Sequence, residues 1–148
     1  MLTQFSRTEL LLGKEAMERL YASRVAVFGV GGVGSYAAES LARAGVGAMD
    51  LFDDDRICIT NLNRQLEATR STVGMHKVDA MEARLLDINP SLKVTKHILF
   101  YLPEAAEEID FTQYDYVIDA VDTVKAKLDL AVRCQSLGVP IISAMGAG

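Results

Sequence analysis

Three groups of polar residues in this chain have the types and the spacing to handle a nucleotide. The first is Gly29-Val30-Gly31-Gly32-Val33-Gly34, which fits G-x-G-x-x-G through Gly29, Gly31 and Gly34. Glycines let a chain turn tightly and approach phosphate closely. A helix starting there offers free N–H groups and the positive end of its dipole. The second is Asp53, 19 residues after Gly34, where a carboxylate can accept hydrogen bonds from both ribose hydroxyls. Loop and acid together indicate a nucleotide site and leave open whether the nucleotide is NAD, FAD or ATP. The third group is Asp53-Asp54-Asp55, Asn61-Leu62-Asn63-Arg64-Gln65, Gly74-Met75-His76-Lys77 and Asp122. It suits a triphosphate, because Arg64 offers a planar fork to phosphate oxygens and Lys77 a compact charge. Lys77 falls in the first turn of an expected helix, where a cation opposes the dipole, so a bound anion explains it better than helix stability does. Asp122, with Asp55, could hold Mg²⁺, which takes carboxylates together with substrate phosphates.

Each residue also has a plain structural reading. Arg64 and Lys77 could be solvated surface charges. Asp122-Thr123 could cap the following helix, and Asn61 the turn after it. Their shared placement after strand C-termini, on the side of the glycine loop, favours a common site. His76 reads as a helix-start surface group and His97 as part of a strand. Cys58 and Cys134 form no C-x-x-C pair. Cys134 sits on an apolar helical pattern, and Cys58 has no histidine beside it to act as a base, so both read as structural.

The elements that must position these groups follow from periodicity. Arg24–Phe28, Ala48–Phe52, Leu92–Leu99, Tyr116–Asp119 and Val139–Ser143 read as strands. Ser35–Ala44, His76–Ile88 and Val124–Leu137 read as helices closed by Gly45, Asn89-Pro90 and Gly138. Apolar strands alternating with helices predict an α/β fold, a doubly wound and mainly parallel Rossmann-like sheet. Arg7–Ala22 reads as helical segments broken near Gly13. The expected division is an N-terminal helical segment over residues 1–22 and a Rossmann-like ATP-binding domain over 23–148. Met145-Gly146-Ala147-Gly148 follows a buried strand with no capping helix, so the chain is expected to be a fragment of a longer protein.

The 148 residues suit one domain, and 50% hydrophobic content supplies a core. A net charge of −5 and a pI near 5.0 argue against broad, nonspecific nucleic-acid binding. No apolar run approaches a membrane span, and the N-terminus lacks a secretory profile, so a soluble cytoplasmic protein is expected.

Taken together, the glycine loop, Asp53-x-Asp55, Asn61-x-x-Arg64-Gln65, Lys77 and Ile118-Asp119-x-x-Asp122 resemble the ubiquitin-activating-enzyme-like adenylyltransferases of the ThiF/MoeB type. Nearly the whole chain is covered. Asn61-Leu62-Asn63-Arg64-Gln65, Val117–Asp122, the closing Gly146-Ala147-Gly148 and the stretch from Arg7 to Gly13 look most like the tRNA threonylcarbamoyladenosine dehydratases within that group. Members of that group are longer, which agrees with the fragment reading.

The resemblance implies ATP and Mg²⁺ as cofactors. It implies that Gly29, Gly31, Gly32, Gly34, Asp53, Asp55, Asn61, Arg64, Gln65 and Lys77 bind the nucleotide. Within that set, Gly31 and Gly32 would approach the α-phosphate, Asp53 would hold the ribose, and Asn61, Arg64 and Lys77 would bind phosphates and stabilise charge on the α-phosphorus. Asp122, helped by Asp55, would hold the metal. Arg7 would reach the ATP site of a second copy, making a homodimer part of the active site. Lys127 stands where relatives often carry a basic residue. The implied reaction is attack of a substrate carboxylate on the α-phosphate, then expulsion of AMP by ring closure on threonylcarbamoyladenosine in tRNA. A carboxylate is already ionised near neutral pH and needs no general base, in keeping with the lack of a Ser-His-Asp or Cys-His arrangement.

An acidic chain sits awkwardly with a tRNA substrate, so a more basic C-terminal part or dimer face is expected. The nearest alternative is adenylylation of the C-terminal Gly-Gly of a ubiquitin-like sulfur-carrier protein. A more remote one is an NAD-binding dehydrogenase, which would leave Arg64, Lys77 and Asp122 without a task.

Overall fold

The computed structural model describes residues 1–145; Gly146, Ala147 and Gly148, the glycine-rich ending used in the resemblance above, lie outside the described residues. Five strands, Arg24–Phe28 (β1), Ala48–Phe52 (β2), Lys93–His97 (β3), Tyr116–Asp119 (β4) and Ile141–Ser143 (β5), form one sheet in the order β3-β2-β1-β4-β5. Every pairing is parallel. The chain winds outward from β1 to β3, then returns to place β4 on the other side of β1. The β1–β4 border is therefore the topological switch point, where a crevice opens at the strand C-termini.

Both faces of the sheet are covered, as a parallel sheet requires. Alternate residues of β1 serve opposite faces. Val27 packs with Met49 and Leu51 against Ala38 and Ala42 of α3 (Gly34–Ala44) and Val78, Met81 and Leu85 of α4 (Lys77–Ile88). Ala26 and Phe28 pack with Phe52 and Val117 against Tyr101, Phe111 and Ala126, Leu130 and Cys134 of α6 (Val124–Leu137). Gly45 and Gly138, both at positive φ, close α3 and α6. Two short helices, α1 (Ser6–Leu12) and α2 (Lys14–Tyr21), precede the sheet and are separated by Gly13. No helix of the described residues is long and apolar enough to cross a membrane.

The expected elements differ from the observed ones in a few places. β3 is shorter than Leu92–Leu99. It is an edge strand, and after His97 the chain leaves the ladder to lay Leu99 and Tyr101 over the Phe28 face. β5 begins at Ile141 rather than Val139, because Pro140 has no N–H and only accepts, from Val117 N. A four-residue helix, α5 (Pro103–Ala106), has too short a period to be visible in sequence.

One buried acid stands in this apolar frame. Asp50 is 1% exposed and accepts from Arg24 Nε (2.8 Å), Arg24 Nη2 (3.0 Å) and Tyr114 Oη (2.9 Å), with His97 Nε2 at 2.9 Å. Burial pushes its pKa up, but the bonds with His97, Arg24 and Tyr114 outweigh that and hold it below the ordinary carboxylate value. His97, expected to be structural, also stacks on Phe52 at 4.1 Å between ring centroids.

Candidate nucleotide site

The crevice at the switch point contains a cavity of about 600 Å³. Its floor is the glycine loop. Gly29 N donates to Phe52 O and Ala120 N donates to Phe28 O, so the ends of β1, β2 and β4 meet beneath the loop. The glycines are required by space. A Cβ on Gly34 would lie 1.6 Å from Gly29 O, and one on Gly29, already at φ 90°, would lie 2.5 Å from Ala120 O. These are main-chain atoms, so no rotamer change relieves them. At Gly32 the neighbour is the Arg64 side chain, 3.3 Å from a Cβ.

Asp53, at the end of β2, is held by two main-chain donors. Its Oδ2 accepts from Val30 N and its Oδ1 from Asp55 N, each at 2.8 Å. Burial raises its pKa against the opposing pull of those N–H groups and of Lys77. Lone pairs remain on both oxygens for donors from the cavity, as a ribose would supply.

Lys77 opens α4, as expected, and is buried. Its Nζ faces Asp55 Oδ2 at 3.6 Å, and that Asp55 side chain is 68% exposed. A buried cation whose ion-pair partner among the described residues is a solvated surface acid is poised to exchange that partner for a better-placed anion. Arg64 lies across the glycine loop, with Nη1 donating to Thr60 O at 3.1 Å and Asn63 Oδ1 at 2.7 Å. Gln65 lines the same wall, and its buried Oε1 has no hydrogen-bond partner among the described residues. Asp122 is exposed on the opposite wall and, among the described residues, neither caps α6 nor pairs with a cation. Asp54, Asp55 and Asp122 are thus exposed carboxylates on the cavity, and oxygens of Asp53, Asp54 and Asp55 lie within 4.8 Å of one another, a supply of ligands for a divalent cation of the kind that also takes phosphate oxygens.

The fold therefore gathers Gly29, Gly31, Gly32, Asp53, Asp55, Arg64, Gln65, Lys77 and Asp122 around one cavity. Gly34 supports the floor from α3. Asn61 is absent from the lining: its Oδ1 accepts from Cys58 N at 2.9 Å and so caps the 3-10 turn Ile59–Asn61 that it ends, rather than the turn after it. Arg7 lies exposed on α1 and also does not line the cavity. Lys127 is buried, and its Nζ donates to both Asp119 oxygens at 3.2 Å and to Ala144 O at 2.6 Å, clamping the end of β4 to the residue after β5. Leu99, Phe100 and Tyr101 also line the cavity, forming an apolar wall suited to a base. Their only sequence signal is an apolar run overshooting the edge strand.

The description "ThiF family" fits residues 5–148 of the chain. The tRNA threonylcarbamoyladenosine dehydratase of Bacillus subtilis (strain 168) is 54% identical over 147 residues, 99% of this chain and 58% of that protein. The "Adenylyltransferase and sulfurtransferase MOCS3" of Culex quinquefasciatus is 36% identical over 96% of this chain and 33% of that protein. Among solved structures, E. coli tRNA N6-threonylcarbamoyladenosine dehydratase in complex with ATP superposes with a TM-score of 0.95 at 41% identity, covering 98% of this chain and 60% of that one. The chain thus spans little more than half the length of the dehydratases it matches.

Proposed function

The chain belongs to the ThiF family, and from that premise we propose that it is the nucleotide-binding part of an enzyme that activates a carboxylate with ATP. The observation that carries the reading is the convergence of Arg64, Lys77 and Asp122 on a cavity floored by the glycine loop. A nicotinamide dehydrogenase would leave these three without a role.

ATP lies with its base against Leu99–Tyr101 and its ribose hydroxyls donating to Asp53. Its phosphates follow the Gly31-Gly32 backbone toward the start of α3. Lys77 exchanges Asp55 for a phosphate oxygen, and Arg64 supplies the second cation. Asp122, helped by Asp55, would hold Mg²⁺, which would neutralise phosphate charge. A substrate carboxylate oxygen attacks the α-phosphorus, and the bond to the bridging oxygen breaks, its electron pair leaving with pyrophosphate. The protein's work is positioning and charge neutralisation. The substrate is the threonylcarbamoyl group on an adenosine of tRNA. An internal nucleophile of that group then attacks the activated carbonyl, the bond to AMP breaks, a ring closes, and one water is lost overall. Support for this substrate is the 54% identity to a dehydratase so named. A homodimer in which Arg7 enters the partner's cavity, and a cytoplasmic location, complete the reading.

The 36% identical MOCS3 relative favours a second reading, adenylylation of a ubiquitin-like sulfur-carrier protein at the same ATP site. ATP–pyrophosphate exchange by the full natural protein separates the two. Stimulation only by threonylcarbamoyl-modified tRNA, and its loss in Asp122→Ala, is expected. Stimulation only by a carrier ending in Gly-Gly moves the assignment. No exchange with either, together with tight NAD binding, refutes ATP activation.

A further inference from the structure

Behind the cavity wall lies a group that the proposed mechanism does not use. Glu67 follows the Asn61–Gln65 stretch into the interior, where it is 2% exposed. Among the described residues, neither of its buried carboxyl oxygens has a hydrogen-bond partner of good geometry; its own main-chain N–H and Ser35 lie close but make only weak contacts. An ionised carboxylate is not stable in such a place unless paired, so the burial needs a reason. The surroundings supply one. The charged groups facing Glu67 are Lys77 from α4 and Asp53 from the end of β2, and Ser35 faces it from the first turn of α3. These are the elements that build the nucleotide site. Ser35 Oγ in turn accepts from Leu66 N at 3.3 Å, tying this segment to α3 beside the glycine loop.

Resting on the nucleotide reading above, we propose that Glu67 is a proton-holding positioning residue. It is neutral whenever a triphosphate occupies the cavity, so nucleotide binding in the basic range takes up one proton at this side chain. Two changes on binding drive this. Lys77 favours ionised Glu67 in the free protein, and its ammonium turns to phosphate. The phosphate then adds negative charge on the same side, and like charge disfavours a second anion. A neutral Glu67 also leaves Lys77 uncontested for the phosphate. In the free protein, burial foremost pushes the Glu67 pKa up to about 7, against the pull of its own main-chain N–H, Lys77 and Ser35. The free group therefore ionises within the physiological range. At pH 8, uptake approaches ~0.9 proton per nucleotide, and affinity falls about fivefold between pH 7 and 8, approaching tenfold per pH unit beyond that.

The test is titration calorimetry of Mg-ATP into the full natural protein at pH 8, in phosphate and in Tris. Their different ionisation heats count the protons taken up. Glu67→Gln keeps the shape of a neutral carboxyl, so it should bind with close to one proton fewer and lose most of the decline in affinity between pH 7 and 8.5. As a second readout on the wild type, the carboxyl ¹³C resonance of Glu67 should titrate near pH 7 without nucleotide and stay in its neutral form to pH 8.5 with it. Equal proton uptake in both proteins, or a Glu67 resonance that titrates in the ordinary carboxylate range, overturns the proposal and leaves ATP binding standing. No binding of ATP at any pH overturns the nucleotide reading itself, and the coupling falls with it.

Discussion

Replacing Lys77 by methionine keeps the apolar stem of the side chain out to Cε and removes the ammonium with its N–H donors. Its two consequences should separate. In the free protein the ammonium is buried, and its partner Asp55 is 68% exposed at 3.6 Å. A pair with one member in water contributes at most about 1 kcal/mol, and taking a buried ammonium out of the interior offsets part of that. For a chain of this size, 1 kcal/mol corresponds to a Tm change of roughly 2–4 °C, so Tm should move no further than that in either direction. In the nucleotide complex the same ammonium donates to a phosphate oxygen, and a hydrogen bond with charged partners is worth about 1.5–3 kcal/mol. At about 1.4 kcal/mol per tenfold, affinity for ATP should fall by ~10–150-fold. Thermal denaturation without nucleotide, paired with calorimetric titration of Mg-ATP, reads both quantities on one preparation. Unchanged ATP affinity would refute the placement of Lys77 at the phosphates. A Tm drop large enough to account for lost binding would show that its burial serves the fold.

Three further outcomes are expected. Gly34→Ala puts a methyl 1.6 Å from Gly29 O; a stability loss of about 1–3 kcal/mol in denaturant titration, with ATP binding abolished, is the predicted result. Asp50→Asn removes the charge shared by Arg24, His97 and Tyr114. Because Arg24 is 35% exposed, the loss should be about 1–3 kcal/mol at neutral pH. The folded pKa of Asp50 is depressed, so the gap to wild type should close as pH falls below the ordinary value of 3.8. Glu67 works in the opposite sense. Its folded pKa is raised from 4.5 to about 7, so wild-type stability should decline between those values, by on the order of 3 kcal/mol. Glu67→Gln should flatten that decline in urea titrations run across the same pH range.

What sequence made legible follows from where the information lies. β1, β2, β4 and α6 match the expected bounds because each is a continuous apolar or periodic run ended by a turn residue or a glycine. The glycine loop, Asp53, Arg64, Lys77 and Asp122 were legible because strand C-termini in a doubly wound sheet converge. Asn61 lies outside the cavity lining and caps a turn, and a carboxamide that caps a turn and one that binds phosphate look the same in one dimension. Glu67 gave no signal, since nothing in its neighbours Leu66 and Ala68 announces that an acid is buried. The Asp50 cluster joins residues from Arg24 to Tyr114, and only the folded register brings them together.

The interlocked floor of the site has a consequence for how the gene can vary. At positions 29 and 34 the obstacle to any side chain is main-chain carbonyl oxygen, of Ala120 and of Gly29 itself. Carbonyl oxygens are the same whatever residue carries them, so no second substitution can make room. A selection for revertants of Gly34→Ala should return true reversions and no intragenic suppressors. Gly32 is different in kind, because its neighbour is the stem of Arg64, a flexible side chain that can swing aside. Gly32→Ala should therefore need no second substitution for the fold, and Arg64 should be retained in every functional survivor.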